Sequence, residues 1–228
     1  MSGLPKIDVP RYEHTLYATG KKIKYRPFTM KEQKILLLAK ESGKVEDVVA
    51  AMKQIIELCT DNTVDANDIA TFDAEMLFLK IRSKSAGEVS TITYKLKGTE
   101  TQVKVNINLE EVQLQTDPEH DKKIMITDTI GLMMKYPTLD MIAFEGVGED
   151  QMIRQCIDYV FDADQMYYFK DFSDADVEEW LESFDTTVMK NIKAFFDTMP
   201  KLRHEQMVNL PGGETEVLTF EGLNDFFD

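Results

Sequence analysis

The chain has 228 residues, 43% apolar and 29% charged, with 26 Lys and Arg against 41 Asp and Glu and a formal net charge of −15. That length allows one large domain or two small ones with a core needing no covalent staples, and so acidic a balance repels phosphate backbones and argues against nucleic-acid binding. Cys59 and Cys156 make neither a disulfide framework nor a CxxC zinc pattern, the opening MSGLPKIDVP has no apolar signal run, and no stretch approaches the roughly 18 continuous apolar residues of a membrane span.

A soluble, intracellular protein of a reducing compartment, without membrane association, is therefore expected. The charge is uneven: residues 1–44 carry ten Lys and Arg against four Asp and Glu, while the remainder holds sixteen against thirty-seven. The basic end suits either a solvated face or an acidic protein surface.

In chain order, EHTLYATGKKIKYRPF at 13–28 predicts two short strands around Thr19-Gly20, with Leu16, Ile23 and Tyr25 as the apolar positions and Pro27 as the stop. Thr29 followed three residues later by Glu32 predicts a capping box, and Gly43 the end of that helix. Val45, Val48, Val49, Met52, Ile55, Ile56 and Cys59 then form one apolar stripe at helical spacing. A third helix is predicted over TFDAEMLFLKIRSKS, with Thr71 or Asp73 at its start and Gly87 after its end.

From Glu88 the apolar period becomes two. VSTITYKL and TQVKVNINL flank a turn at 97–100 and predict a long hairpin whose Val103, Val105, Ile107 and Leu109 share a face. Another hairpin is expected in KIMITDTIGLMMKYP, turning near Asp128-Thr129 and broken by Pro137. Beyond Thr138 the chain reads as helical and acidic. Met152, Ile153, Cys156, Ile157, Val160 and Phe161 look like another stripe, Ser173 or Asp174 should cap the next helix, and Val188, Ile192, Phe195, Phe196 and Met199 mark the last one. A terminal hairpin should turn at Gly212-Gly213 between strands 205–210 and 216–220. The fold class is α+β, as one continuous domain over 1–228 with a β-rich subregion at 88–137 and a helical subregion at 138–200.

Reactive motifs are scarce. Asp162 and Asp164 start like a calcium loop, but Met166, Tyr167 and Ser173 occupy its fifth, sixth and twelfth positions, so the bidentate acid and the sharp turn are missing. His14, His120 and His204 lie on separate segments with no HxxxH spacing. There is no GxSxG, Walker or GxGxxG motif, and both cysteines sit on apolar stripes. No catalytic residue, metal ligand or cofactor is assigned. Thirteen methionines and thirteen phenylalanines suit cores and also adaptable protein-binding surfaces.

Several blocks recur in a familiar order: LPKIDVPRYEHTLYATGKKIKYRPFTMKEQKILLLA, FLKIRSKSAGEV, DTIGLMMKYPTLDMI, CIDYVFD, FFDTMPKLRHE and FEGLNDFF. Together they resemble the baseplate hub subunit family of T-even-like contractile-tailed bacteriophages over nearly the whole chain. The resemblance implies a non-enzymatic role in virion morphogenesis: a hub subunit or hub assembly protein, made in the host cytoplasm and acting at the tail baseplate through contacts with other baseplate hub or tape-measure proteins. The alternative is a tail-assembly chaperone that binds the tape-measure protein and is absent from the virion. A third reading, a hydrolase using His204, has no supporting motif. Relatives carry CxxC pairs at two β-turns in a zinc-ribbon pattern. The corresponding turns here, 95–98 and 209–213, contain no cysteine, so packing is expected to hold the two hairpins together. Candidate partner-binding residues are Lys21, Lys22, Lys24 and Arg26 in the N-terminal hairpin, Lys201 and Arg203, and Phe226 and Phe227 in the tail.

Overall fold

In a computed structural model, the structure describes residues 7–95, 102–143, 148–210, 213 and 215–226. The fold is α+β, with seven α-helices and several small antiparallel sheets among the described residues. The chain divides into two compact units, residues 1–115 with 201–228 and residues 116–200.

The first unit opens with β1 (Tyr12–Thr15) and β2 (Lys22–Tyr25), paired from Tyr12↔Tyr25 to Thr15↔Lys22. Leu16, Ile23 and Tyr25 are buried, as their alternation requires. In α1 (Met30–Ser42) the capping box forms in full, and Gly43 closes the helix at φ 68°, a left-handed turn that glycine adopts without a Cβ clash. In α2 (Val45–Cys59) Val49, Met52, Ile55, Ile56 and Cys59 are buried, while Val45 at the start of the stripe is exposed.

The central helix α3 (Thr71–Ala86) is apolar on most sides and packs against α2 and the sheet that closes this unit. Its start differs from the expected cap. Ala70 is the N-cap and offers no side-chain oxygen. Asp73 instead points across the fold and accepts the Tyr17 and Ala18 N–H groups at 2.7 and 2.9 Å, so it holds the β1–β2 loop. A polar side chain in a first turn caps its own helix only when no buried donor competes for it. An acid in the first turn of α3 thus serves the hairpin.

β3 (Val89–Lys95) and β4 (Gln102–Asn108) form the long hairpin, with Val105, Ile107 and Leu109 buried. Its turn at 97–100 lies outside the described residues. β5 (Gln113–Gln115), β10 (Lys201–Asn209) and β11 (Thr215–Glu221) make a sheet of order β11-β10-β5, so the terminal hairpin is present and longer than 205–210 and 216–220. Gln115 is the direct partner of Lys201. The chain therefore leaves and re-enters this unit at facing positions of two antiparallel strands.

The second unit contains the four-stranded sheet β6 (Lys123–Met125), β7 (Gly131–Met134), β8 (Ile157–Phe161) and β9 (Met166–Tyr167), in that order. The predicted helical stripe from Met152 to Phe161 is corrected here. α5 (Glu149–Cys156) ends at Cys156, and the chain runs directly into β8. Residues at 152, 153, 156, 157, 160 and 161 satisfy a helical period, but IDYVF is β-branched and aromatic, and pairing with β7 on one side and β9 on the other settles it as strand. The expected helical subregion 138–200 thus contains two strands, and the 88–137 subregion straddles the division after Gln115. With α4 (Leu139–Ala143), α6 (Asp174–Glu182, capped by Ser173) and α7 (Thr186–Thr198, capped by Asp185), the unit closes over a core of Leu132, Met134, Cys156, Ile157, Ile192 and Phe195.

Candidate functional site

Most residues that could carry chemistry are engaged in local structure; His14 is the exception, with Nε2 buried and no hydrogen-bond partner to it among the described residues. Cys59 and Cys156 are buried; burial pushes their thiols up to about 12 and about 11, so neither is a thiolate near neutrality. At His120 the bonding fixes the tautomer. The Thr198 hydroxyl donates to the Ala194 carbonyl at 2.6 Å, so its oxygen accepts Nδ1–H of His120 at 2.9 Å, and the Tyr136 hydroxyl donates to Nε2 at 3.1 Å. Burial lowers this imidazole's pKa, consistent with a neutral ring. His204 lies in β10 with Nε2 at 3.3 Å from Gln206 Oε1, apart from the other two histidines in sequence and bonding. Among the described residues no group of three or more His, Cys, Asp or Glu could hold a metal ion. Asp162 accepts the Asp164 and Gln165 N–H groups and the Tyr167 hydroxyl, which makes it the organiser of the β8–β9 turn.

The predicted contact residues fall into three groups. Lys21 Nζ donates to the Thr63 carbonyl at 3.1 Å, Lys22 is exposed, and Lys24 lies 3.7 Å from Glu13 on the facing strand. Arg26 points inward: its guanidinium meets Glu32 at 3.0 Å and also donates to the Pro27 carbonyl. Burial works against ionising Glu32, but hydrogen bonds from Arg26 and Thr29 win and bring the carboxyl down to about 2. Lys201 pairs with Glu221 at 3.4 Å, and Arg203 bonds Gln115 and Glu205 at 2.9 and 2.8 Å. Phe226 ends a short 3-10 turn, but its side chain and all of Phe227 lie outside the described residues.

Two depressions mark the 116–200 unit. A broad groove of about 960 Å³ beside α5 and α6 mixes Lys135, Arg154 and Lys170 with Asp158, Glu178 and Glu182, so it selects for neither sign of charge. A smaller pocket of about 310 Å³ is lined by Ile130, Val160, Tyr167, Phe169, Phe172 and Trp180, with Asp162 and Asp176 also on it. Sequence reasoning missed both this aromatic pocket and the outer face of α1, where Met30, Leu37 and Leu38 are exposed. The signal for the second was available: four successive apolar residues, ILLL, cannot all face one core from a helix.

A family profile described as "T4 bacteriophage base plate protein" matches residues 9–228. The chain belongs to that family. Its match to the baseplate hub assembly protein gp26 of Enterobacteria phage T4 is 26% identical over 220 residues, covering 95% of this chain and 98% of the phage T4 protein. No solved structure gives a significant match. Membership of a phage base plate family makes this a bacteriophage tail protein with a structural or assembly role, whose interactions are with other baseplate proteins. Among the described residues no helix is long and apolar enough to cross a membrane.

Proposed function

We propose that the chain builds the central hub of the tail baseplate in the host cytoplasm, through protein–protein contacts and without catalysis. The observation that carries this reading is the end-to-end match to a hub assembly protein, which leaves almost no part of either chain unaligned. The bonding of the reactive side chains agrees with it: buried high-pKa thiols, a histidine with both nitrogens occupied, and acids held by backbone N–H groups are structural fittings. The contact surface includes Lys21, Lys22 and Lys24 on the N-terminal hairpin, Lys201 and Arg203 on β10, and the Phe226–Phe227 tail. Lys24, Lys201 and Arg203 each meet a carboxylate in an exposed or half-exposed pair worth little to stability and readily exchanged for a partner's carboxylate. Co-expression with candidate hub and tape-measure proteins, followed by sizing, tests the reading; failure to form a complex with any hub protein counts against it. Mass spectrometry of purified virions separates a resident subunit, present in fixed copy number, from a transient assembly factor, which would be absent.

The two cysteine-free hairpins are held by packing in this proposal. Tyr94 of β3 meets Phe220 of β11 edge to face, with ring centroids 6.1 Å apart, the kind of contact that substitutes for a shared metal. Stoichiometric zinc in purified protein would overturn it.

A further inference from the structure

We propose that copies of this chain associate head to tail, with the outer face of α1 on one copy seated in the apolar pocket of the 116–200 unit on the next. This stands on the two surfaces themselves and is independent of the hub reading.

Of the thirteen residues of α1 only Glu32 and Ala39 are buried. Met30, Leu37 and Leu38 are 68%, 52% and 67% exposed, and Val45 just beyond the helix is 48% exposed. Met30, Lys34 and Leu38 recur every four residues and Leu37 lies three after Lys34, so they form one ridge. Scattered exposed hydrophobics need no explanation, but three large ones along one face of a helix, with a lysine between them, call for one. Lys31 and Lys34 are exposed on the same helix, which belongs to the basic first 44 residues.

The pocket has the opposite character. The 116–200 unit carries nineteen Asp and Glu against seven Lys and Arg, most of the chain's negative excess. Its walls are aromatic and aliphatic, with Phe172 and Ile130 exposed at 48% and 37%. A volume of about 310 Å³ is at the small end of ligand pockets and suits one or two inserted side chains, as at the centre of a protein interface. Asp162 and Asp176 accept hydrogen bonds from Tyr167 and Ser173 at 2.6 Å each, and among the described residues no Lys or Arg forms an ion pair with either. Their charge is fixed in place and not neutralised.

The α1 ridge thus sets exposed apolar side chains among cations, and the pocket sets apolar walls among carboxylates. Leu38 fits the pocket as the anchor, and Lys34, one turn away, supplies the charge facing Asp176 or Asp162. Because the two surfaces differ, the contact is heterologous and propagates into a ring or an open filament.

The test uses the full chain. Sedimentation equilibrium of the unmodified protein should show a mass above the monomer that rises with concentration and falls as salt is added. Leu38→Asp and Phe172→Asp alter exposed side chains on different units, so each variant should keep its circular dichroism and sediment as a monomer. An equimolar mixture should give a dimer and nothing larger, because it retains one intact ridge and one intact pocket. If either aspartate variant loses its fold, Leu38→Ala and Phe172→Ala replace them, each weakening self-association by roughly tenfold or more. A monomeric unmodified protein at low salt, a mixture that stays monomeric, or variants that associate as before would overturn the proposal. So would a protein that is monomeric alone and uses Leu38 only to bind a co-expressed baseplate protein.

Discussion

Replacing Glu32 by Gln removes one buried charge together with the oxygen that faces Arg26, and its effect on stability can be worked out. The Glu32 side chain is 3% exposed and the Arg26 side chain 18%, with 3.0 Å between them. Glu32 also accepts the Thr29 N–H at 2.7 Å, closing the capping box. Gln can keep that second bond, since glutamine serves in capping boxes, but its amide NH2 then faces the Arg26 guanidinium, so the substitution removes both the charge and the oxygen that accepts from Arg26. The Glu32 carboxyl is at about 2 in the folded chain against 4.5 for the free side chain. At 1.36 kcal/mol for each pH unit, that depression corresponds to about 3 kcal/mol, near the upper end for a hydrogen bond to a charged group. Because the folded value is the lower one, the contribution is fully present above about pH 4.5 and fades as pH falls through about 2. Urea unfolding followed by far-UV circular dichroism at pH 7, 5, 4 and 3 measures it. Trp180, the sole tryptophan, reports the 116–200 unit by fluorescence. The variant should be less stable by about 3 kcal/mol at pH 7, and the gap should close as pH drops below 4. A gap under half a kcal/mol at pH 7, or one that widens toward pH 3, would refute the assignment.

Asp73→Ala strips the β1–β2 loop of both acceptor contacts, at a cost of about 1 to 3 kcal/mol for two half-buried amides that lose a charged acceptor; hydrogen exchange should show Tyr17 and Ala18 losing protection first. Gly131→Ala drives a Cβ into the Phe161 ring and to 3.0 Å from the Ile124 carbonyl oxygen, so the ring must leave its place and the backbone must give slightly. A loss of about 1 to 3 kcal/mol is expected in the Trp180 fluorescence transition. Because Gln115 faces Lys201 across an antiparallel pair, residues 116–200 can be replaced by Asn-Gly, the two-residue turn suited to such a pair. The shortened chain should fold, with cooperative melting by circular dichroism; an unfolded product would show that 1–228 is one cooperative domain.

The elements most legible in sequence were those defined by near neighbours. The Thr29 and Glu32 pair, Gly43 after its helix, the alternation of Leu16, Ile23 and Tyr25, and the stripe ending at Cys59 all announce structure within a few residues. Ile157–Phe161 escaped because its apolar residues fit both periods, and the deciding partners, β7 and β9, are set by pairing. Arg26 looked like a displayed cation in a basic hairpin, yet the fold turns it onto a carboxylate presented by the next helix. The outer face of α1 was hidden for the reverse reason: its leucines suggested a core, and only packing shows which side of the helix has none.

By itself, the sequence determined the α+β class, the hairpins at both ends, the main helix caps and the family, because local hydrogen-bonding chemistry and the order of short blocks are written in adjacent residues. Tertiary structure decided the division at Gln115 and Lys201, the strand at Ile157–Phe161, the destinations of Asp73 and Arg26, and the aromatic pocket. Each depends on which distant donor, strand or ring arrives beside a residue, and the free energy of that meeting belongs to the pair.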